Sequence, residues 1–100
     1  MRRELKARRV NAIDAKDGID EDEAYDIAKM YFEMYLGVCG GPARPIRHGR
    51  FWTSGGVVGL VDDPLPAPIK VDARTGGVQG PHGPAYASFA EFGRAWLAGW

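Results

Sequence analysis

A chain of 100 residues with 45% hydrophobic residues has enough apolar material for one small folded domain, which excludes a two-domain enzyme and wholesale disorder. The 13 basic and 13 acidic residues cancel, and no apolar run approaches the roughly twenty residues that cross a bilayer, so a membrane span is excluded. A single cysteine, Cys39, forms no internal disulfide, and no apolar signal segment follows the basic residues near Met1, so we expect a cytoplasmic protein.

Charge is unevenly distributed along the chain. Residues 1–9 carry a net charge of +4, whereas residues 10–36 carry a net charge of −6. Because chain termini are often poorly ordered, we interpret residues 1–19 as a basic arm and linker and residues 20–100 as a single α+β domain. A basic arm beside an acidic block is consistent with contacts to nucleic acid and to a basic protein, or with a solvated arm without function.

The first strong element is a helix over residues 20–36. Asp20 and Glu23 have the spacing of a capping box, in which each side chain satisfies the backbone amide of the other residue. Gly37 follows the last turn as a residue that tolerates positive φ. Apolar residues recur between them at helical spacing and define one face: Ala24, Ile27, Ala28, Tyr31, Met34 and Tyr35.

After Gly37 the chain has the short apolar runs and turn residues that are typical of β-strands. We predict four strands, over residues 50–54, 57–61, 69–72 and 77–79. The first two are joined by Gly55-Gly56, which predicts a tight hairpin. The last two form a second hairpin, in which Asp72 accepts hydrogen bonds from the turn amides and Gly76 is left-handed. Three prolines make residues 62–68 a connecting loop.

A second capping box predicts a short C-terminal helix, because Glu91 stands three residues after Ser88. Its apolar side consists of Phe89, Phe92, Trp96 and Trp100. The order of elements predicts an α+β fold, with an N-terminal helix, an antiparallel sheet of about four strands and a short C-terminal helix on one face of the sheet.

The sequence offers little catalytic or metal-binding chemistry. The acidic segment 14–23 fails the ligand spacing of an EF-hand in every register. A structural zinc site needs three or four closely arranged ligands, and the chain has one cysteine and two histidines without paired spacing, so we expect no metal and no cofactor. An alternative stays open: a small enzyme or ligand-binding domain near Cys39, His48 and Trp52, with Cys39 paired to His48 or His82.

Three stretches of the chain follow one another in a recognisable order: D-E-A at residues 22–24 leading to I-A at 27–28, R-F-W at 50–52, and P-I-K-V-D-A-R-T-G-G-V at 68–78. This order resembles the YrhB-like family of small bacterial immunity proteins, and also immunity proteins with a nuclear-transport-factor-two-like fold. The resemblance covers residues 20–92. It implies a non-enzymatic antidote that binds a co-encoded toxin domain and blocks it, with no catalytic residue.

The charge pattern predicts how such an antidote would bind. Carboxylates at the start of the first helix can mimic phosphates and occupy the basic cleft of a nuclease toxin, and an aromatic side chain can anchor the contact. The predicted partner-binding residues are Asp20, Glu21, Asp22, Glu23, Asp26 and Trp52. The alternative is a nucleic-acid-binding accessory domain that uses Arg2, Arg3, Lys6, Arg8 and Arg9 with Arg44, Arg47 and Arg50.

Overall fold

A computed structural model describes residues 3–37, 39–58 and 63–99. In this part of the chain, three α-helices, one 3-10 turn and eight β-strands form an α+β fold, which confirms the predicted class. The elements are α1 (Arg3–Asn11), the 3-10 turn (Ala15–Asp17), α2 (Glu21–Tyr35), β1 (Gly40–Pro42), β2 (Ile46–His48), β3 (Phe51–Ser54), β4 (Gly56–Val58), β5 (Asp63–Pro64), β6 (Ile69–Asp72), β7 (Gly76–Gln79), β8 (Tyr86–Ser88) and α3 (Phe89–Ala98).

The strands form two antiparallel sheets rather than the one sheet of about four strands that was predicted. One sheet has the order β1-β4-β5 and the other has the order β2-β3-β6-β7-β8. The additional strands β1, β2, β5 and β8 have only two or three residues and are rich in glycine, proline or polar residues, so they lack the alternation that marks a strand in sequence. None of the three helices in the described part of the chain has the length and hydrophobicity that a membrane crossing requires.

The predicted helix over residues 20–36 is confirmed as α2, with its capping box. The Oδ1 atom of Asp20 accepts a hydrogen bond of 2.8 Å from the Glu23 amide, and Glu23 Oε1 accepts one of 3.1 Å from the Asp20 amide. The other oxygen of Glu23 accepts the amide of Asp14 at 3.0 Å. The cap therefore fixes the preceding segment as well as the first turn of the helix.

The second predicted hairpin is confirmed as β6 and β7, in which Val71 pairs with Val78. In its turn, Asp72 Oδ1 accepts the amides of Arg74 at 2.8 Å and Thr75 at 3.2 Å. Asp72 Oδ2 lies 2.7 Å from Arg50 Nε. Burial acts to raise the pKa of Asp72, but the two amides and the guanidinium outweigh it and hold that pKa below its usual value.

The first predicted hairpin is wrong, because β3 and β4 belong to different sheets. β3 pairs with β2 and β6, whereas β4 pairs with β1 and β5. The chain passes from one sheet to the other at Gly56, where φ is +143°, a value that glycine adopts readily and other residues rarely do. A Cβ atom at this position would lie 2.4 Å from the Gly41 carbonyl oxygen. Residues 59–61 of the predicted second strand lie outside the described residues. The predicted loop contains β5, an edge strand where proline is tolerated.

Helices α2 and α3 pack on one face of the five-stranded sheet. The predicted cap of α3 is confirmed, since Ser88 Oγ accepts the Glu91 amide at 3.2 Å. Trp100 lies outside the described residues. The buried side chains of α3 and of the sheet that meet in this core are Phe89, Phe92, Trp96, Ile69, Val71 and Val78.

The loop over residues 80–84 packs closely against two tyrosine side chains of α2. Tyr31 donates a hydrogen bond of 2.9 Å to the carbonyl oxygen of Pro84, and a Cβ atom at Gly83 would lie 2.5 Å from the Tyr31 hydroxyl. Tyr35 and Tyr86 are joined through their hydroxyl groups. Burial and the hydrogen bond with Tyr86 raise the pKa of Tyr35 to about 12, so Tyr35 remains protonated in ordinary buffers.

Candidate functional site

A cleft of about 510 Å³ lies where the segment before α2 meets β2 and the turn between β6 and β7. We call it the acidic cleft, because four of its eight lining residues are carboxylates and one is a cation. The lining consists of Asp14, Asp17, Gly18, Ile19, Asp20, Glu23, Arg47 and Ala73. Its charge and position make it the candidate partner-binding site.

One wall of the acidic cleft is the segment that leads into α2. Asp14 caps the 3-10 turn by accepting the Lys16 amide at 3.0 Å. Ile19 is buried, and its amide donates a hydrogen bond of 2.8 Å to the carbonyl oxygen of Ala73 on the opposite wall. This wall is therefore held at both ends, and its carboxylates project from a fixed backbone.

Trp52 lies directly behind the acidic cleft. Its indole Nε1 donates a hydrogen bond of 2.9 Å to the carbonyl oxygen of Ile19. Arg47, which pairs with Trp52 across β2 and β3, places its guanidinium 5.5 Å from the indole ring centre. The structure therefore brings three predicted residues into one region: Asp20 and Glu23 in the lining, and Trp52 in contact with the lining.

The other three predicted residues lie elsewhere on α2. Arg44 Nη2 is 2.5 Å from Glu21 Oε2 and 2.6 Å from Asp22 Oδ1. These two carboxylates raise the pKa of Arg44, and their charge is partly neutralised by it. Asp26 is exposed in a separate groove of mixed charge between α1 and α2.

Three charged residues of the acidic cleft, Asp14, Asp17 and Arg47, are not among the predicted partner-binding residues. The sequence indicates Asp14 and Asp17 only as part of an acidic segment that fails as a calcium site, although their position just before the cap of α2 is a signal that joins them to the acidic set. The sequence indicates Arg47 only as a phosphate contact. No local signal shows that it faces Trp52, because that pairing depends on the register of β2 on β3.

The enzyme alternative depends on Cys39 and a nearby histidine. Cys39, His48 and His82 are all exposed, and the hydrogen bonds of the described residues include none between Cys39 and either histidine. Within residues 3–37, 39–58 and 63–99, no group of three or more histidine, cysteine or acidic side chains is arranged to hold a metal ion.

Many cations of the nucleic-acid alternative have partners within the protein. Lys6 is buried against the end of α3, and Arg9 Nη1 lies 2.5 Å from Glu33 Oε2. Arg44 pairs with the carboxylates of α2, and Arg50 pairs with Asp72. Arg2 lies outside the described residues. A phosphate backbone would have to compete with these internal contacts.

No protein-family model, curated protein or solved structure matches this chain. The resemblance to immunity proteins is thus a hypothesis that depends on the three short stretches quoted above. The geometry of the acidic cleft is an observation that does not depend on this resemblance.

Proposed function

We propose that this chain is a non-enzymatic, immunity-type protein that binds a cognate bacterial toxin domain and neutralises it. The observation that carries the proposal is the acidic cleft, with four carboxylates on a fixed backbone and Trp52 behind them. The resemblance of residues 20–92 to small immunity proteins supports the same class of protein.

The charge of the acidic cleft suits a basic partner. A concave surface lined mainly by one sign of charge concentrates its electric field and accelerates association with an oppositely charged surface. A toxin that cleaves nucleic acid must present cations to phosphates, so carboxylates in a fixed arrangement can occupy the same surface. Neutralisation then follows from competition with the nucleic acid.

Not every carboxylate of the acidic cleft is equally suited to this task. Asp20 and Glu23 also cap α2, and Asp14 caps the 3-10 turn, so changing them alters the fold as well as the charge. Asp17 is exposed, and the described structure records no hydrogen bond from its side chain. Asp17 is therefore the residue at which charge can be tested with the least structural change.

The first experiment identifies the partner with the full-length chain. The tagged protein is purified from its own host with whatever it binds, and the bound protein is identified by mass spectrometry. We expect one stoichiometric protein with a toxin domain, whose toxicity disappears when this chain is co-expressed. Recovery of nucleic acid, or a toxin that stays lethal in the presence of this chain, would contradict the proposal.

The second experiment tests the acidic cleft itself. We expect Asp17→Lys to lower the association rate with the toxin about tenfold at low salt and to weaken its salt dependence. Glu4→Lys is the matched control, because Glu4 is an exposed carboxylate on α1, outside the lining of the acidic cleft. Equal association rates for the two variants would show that the toxin binds another surface.

A further inference from the structure

Helix α1 is attached to the domain in an unusual way. Surface helices normally bury an apolar stripe, but the buried residue of α1 is Lys6, at 3% exposure, while Leu5 is 45% exposed. Val10 contributes a half-buried apolar contact beside Gly93 of α3. Most of the attachment is therefore polar.

The polar contacts of α1 converge on Trp96 and on the end of α3. Lys6 donates through Nζ to the carbonyl oxygen of Gly99, and its own carbonyl oxygen accepts Trp96 Nε1 at 3.2 Å. The Arg9 guanidinium lies 5.0 Å from the centre of the Trp96 ring and also pairs with Glu33 at 2.5 Å. Cations are attracted both to the ring and to the negative end of a helix dipole.

Helix α1 ends at Asn11, just before the part of the chain that is fixed to the core. Ile13 and Ile19 are buried, and the cap of α2 binds the Asp14 amide, so the fixed part of the chain begins at about residue 13. Helix α1 itself has nine residues, fewer than the roughly 12 to 15 at which an isolated helix becomes marginally stable in water. Once its polar contacts to α3 and α2 break, little holds it in helical form.

We propose that α1 is a displaceable strap, which opens as a unit while the sheet, α2 and α3 stay folded. Opening uncovers the Trp96 ring and the side of α3 at Gly93, and it frees Arg9 from Glu33. One of the contacts that close the strap is the partly exposed ion pair of Arg9 with Glu33, which salt screens and which a polyanion can replace, so both favour the open form. Exposure of the Trp96 ring therefore depends on the salt concentration and on polyanions in solution. This inference does not depend on the identity of the toxin.

Hydrogen exchange measured by mass spectrometry on the full-length chain tests the strap. We expect the amides of residues 4–11 to exchange at least about tenfold faster than the central amides of α2, and to accelerate further as salt rises to about 1 M. The α2 amides serve as the internal reference for global unfolding. Equal protection of α1 and α2, or no response of α1 to salt, would overturn the proposal.

A pair of variants separates the strap contacts from the general effect of losing a charge. Arg9→Gln removes the contacts to Glu33 and Trp96, and we expect it to accelerate exchange in residues 4–11 about fivefold, with α2 unchanged. Arg8→Gln removes the same charge from an exposed neighbouring position and should have little effect. Similar exchange in both variants would contradict the role of Arg9 in closing the strap.

Discussion

The indole N–H of Trp52, on a central strand, donates its hydrogen bond to the backbone of Ile19, which comes just before α2. One side chain thus joins the five-stranded sheet to the acidic wall of the cleft. Because the carbonyl group it satisfies belongs to a buried residue, the wall depends on an interaction between residues 33 positions apart.

We expect Trp52→Phe to lower the free energy of unfolding by about 1 to 2 kcal/mol, since a smaller aromatic ring still packs at this position while the Ile19 carbonyl loses its donor. Urea denaturation followed by circular dichroism measures the change. Trp52→Ala also removes the packing and should cost more, so it separates the two contributions. A Phe variant as stable as the wild type would mean that the hydrogen bond contributes nothing net.

Asp20→Ala should destabilise the protein by about 1 kcal/mol, because it removes the acceptor for the Glu23 amide at the start of α2. Asp26→Ala is the matched control: it removes an exposed carboxylate from the same helix, six residues beyond the cap. Chemical denaturation of both variants measures the difference. If both lose the same stability, overall helix charge rather than capping explains the effect.

Asp72 should make the free energy of unfolding depend on pH in the acidic range. Its pKa in the folded protein lies below the unfolded value, so its contribution is complete above about pH 4 and is lost as pH falls through the folded pKa. Asp72→Asn should therefore destabilise the protein at neutral pH and flatten the acid limb of the stability profile. Asp17→Asn removes a carboxylate from an exposed position and is the control for the loss of one charge.

Gly76→Ala should be more destabilising than Gly55→Ala. At Gly76 φ is +70° and a Cβ atom would lie 2.7 Å from Phe89 Cβ, whereas at Gly55 a Cβ atom meets nothing within 4 Å. A strained left-handed residue costs on the order of 1 to 3 kcal/mol, so thermal denaturation should separate the variants by several degrees. Equal melting temperatures would mean that the turn relaxes around the added methyl group.

The elements that sequence predicted correctly are those with local signals. Helix α2, the hairpin of β6 and β7, and α3 each have caps or turn residues within a few positions of the apolar residues they organise. The pairing of β3 with β6 joins residues about twenty positions apart, and Gly55-Gly56 resembles a local turn, so the sequence favoured the wrong neighbour. Helix α1 resembles a basic arm in sequence because it has no apolar stripe. Its contacts to α3 involve cations, which give no helical signal in the sequence.

The candidate site was predictable only in part, for the same reason. The acidic residues at the start of α2 and Trp52 could be singled out by residue type, but their proximity depends on the register of β3 and on the hydrogen bond to Ile19. Residue type alone does not show that Asp20 and Glu23 line the acidic cleft while Glu21 and Asp22 lie outside it. Glu21 and Asp22 instead pair with Arg44, which reaches α2 from the loop between β1 and β2.

The loop that lies on Tyr31 and Tyr35 sets a rule for sequence variation. A Cβ atom at Gly80 would lie 2.9 Å from Tyr31 Cε1, and one at Gly83 would lie 2.8 Å from Tyr35 Cγ. Between them, His82 is exposed and has a φ of 64°. Substitutions should therefore be tolerated at position 82, best of all as glycine or asparagine, while any side chain at 80 or 83 would lift the loop from the tyrosines. A saturation mutagenesis scan of this loop would show two intolerant positions separated by variable ones.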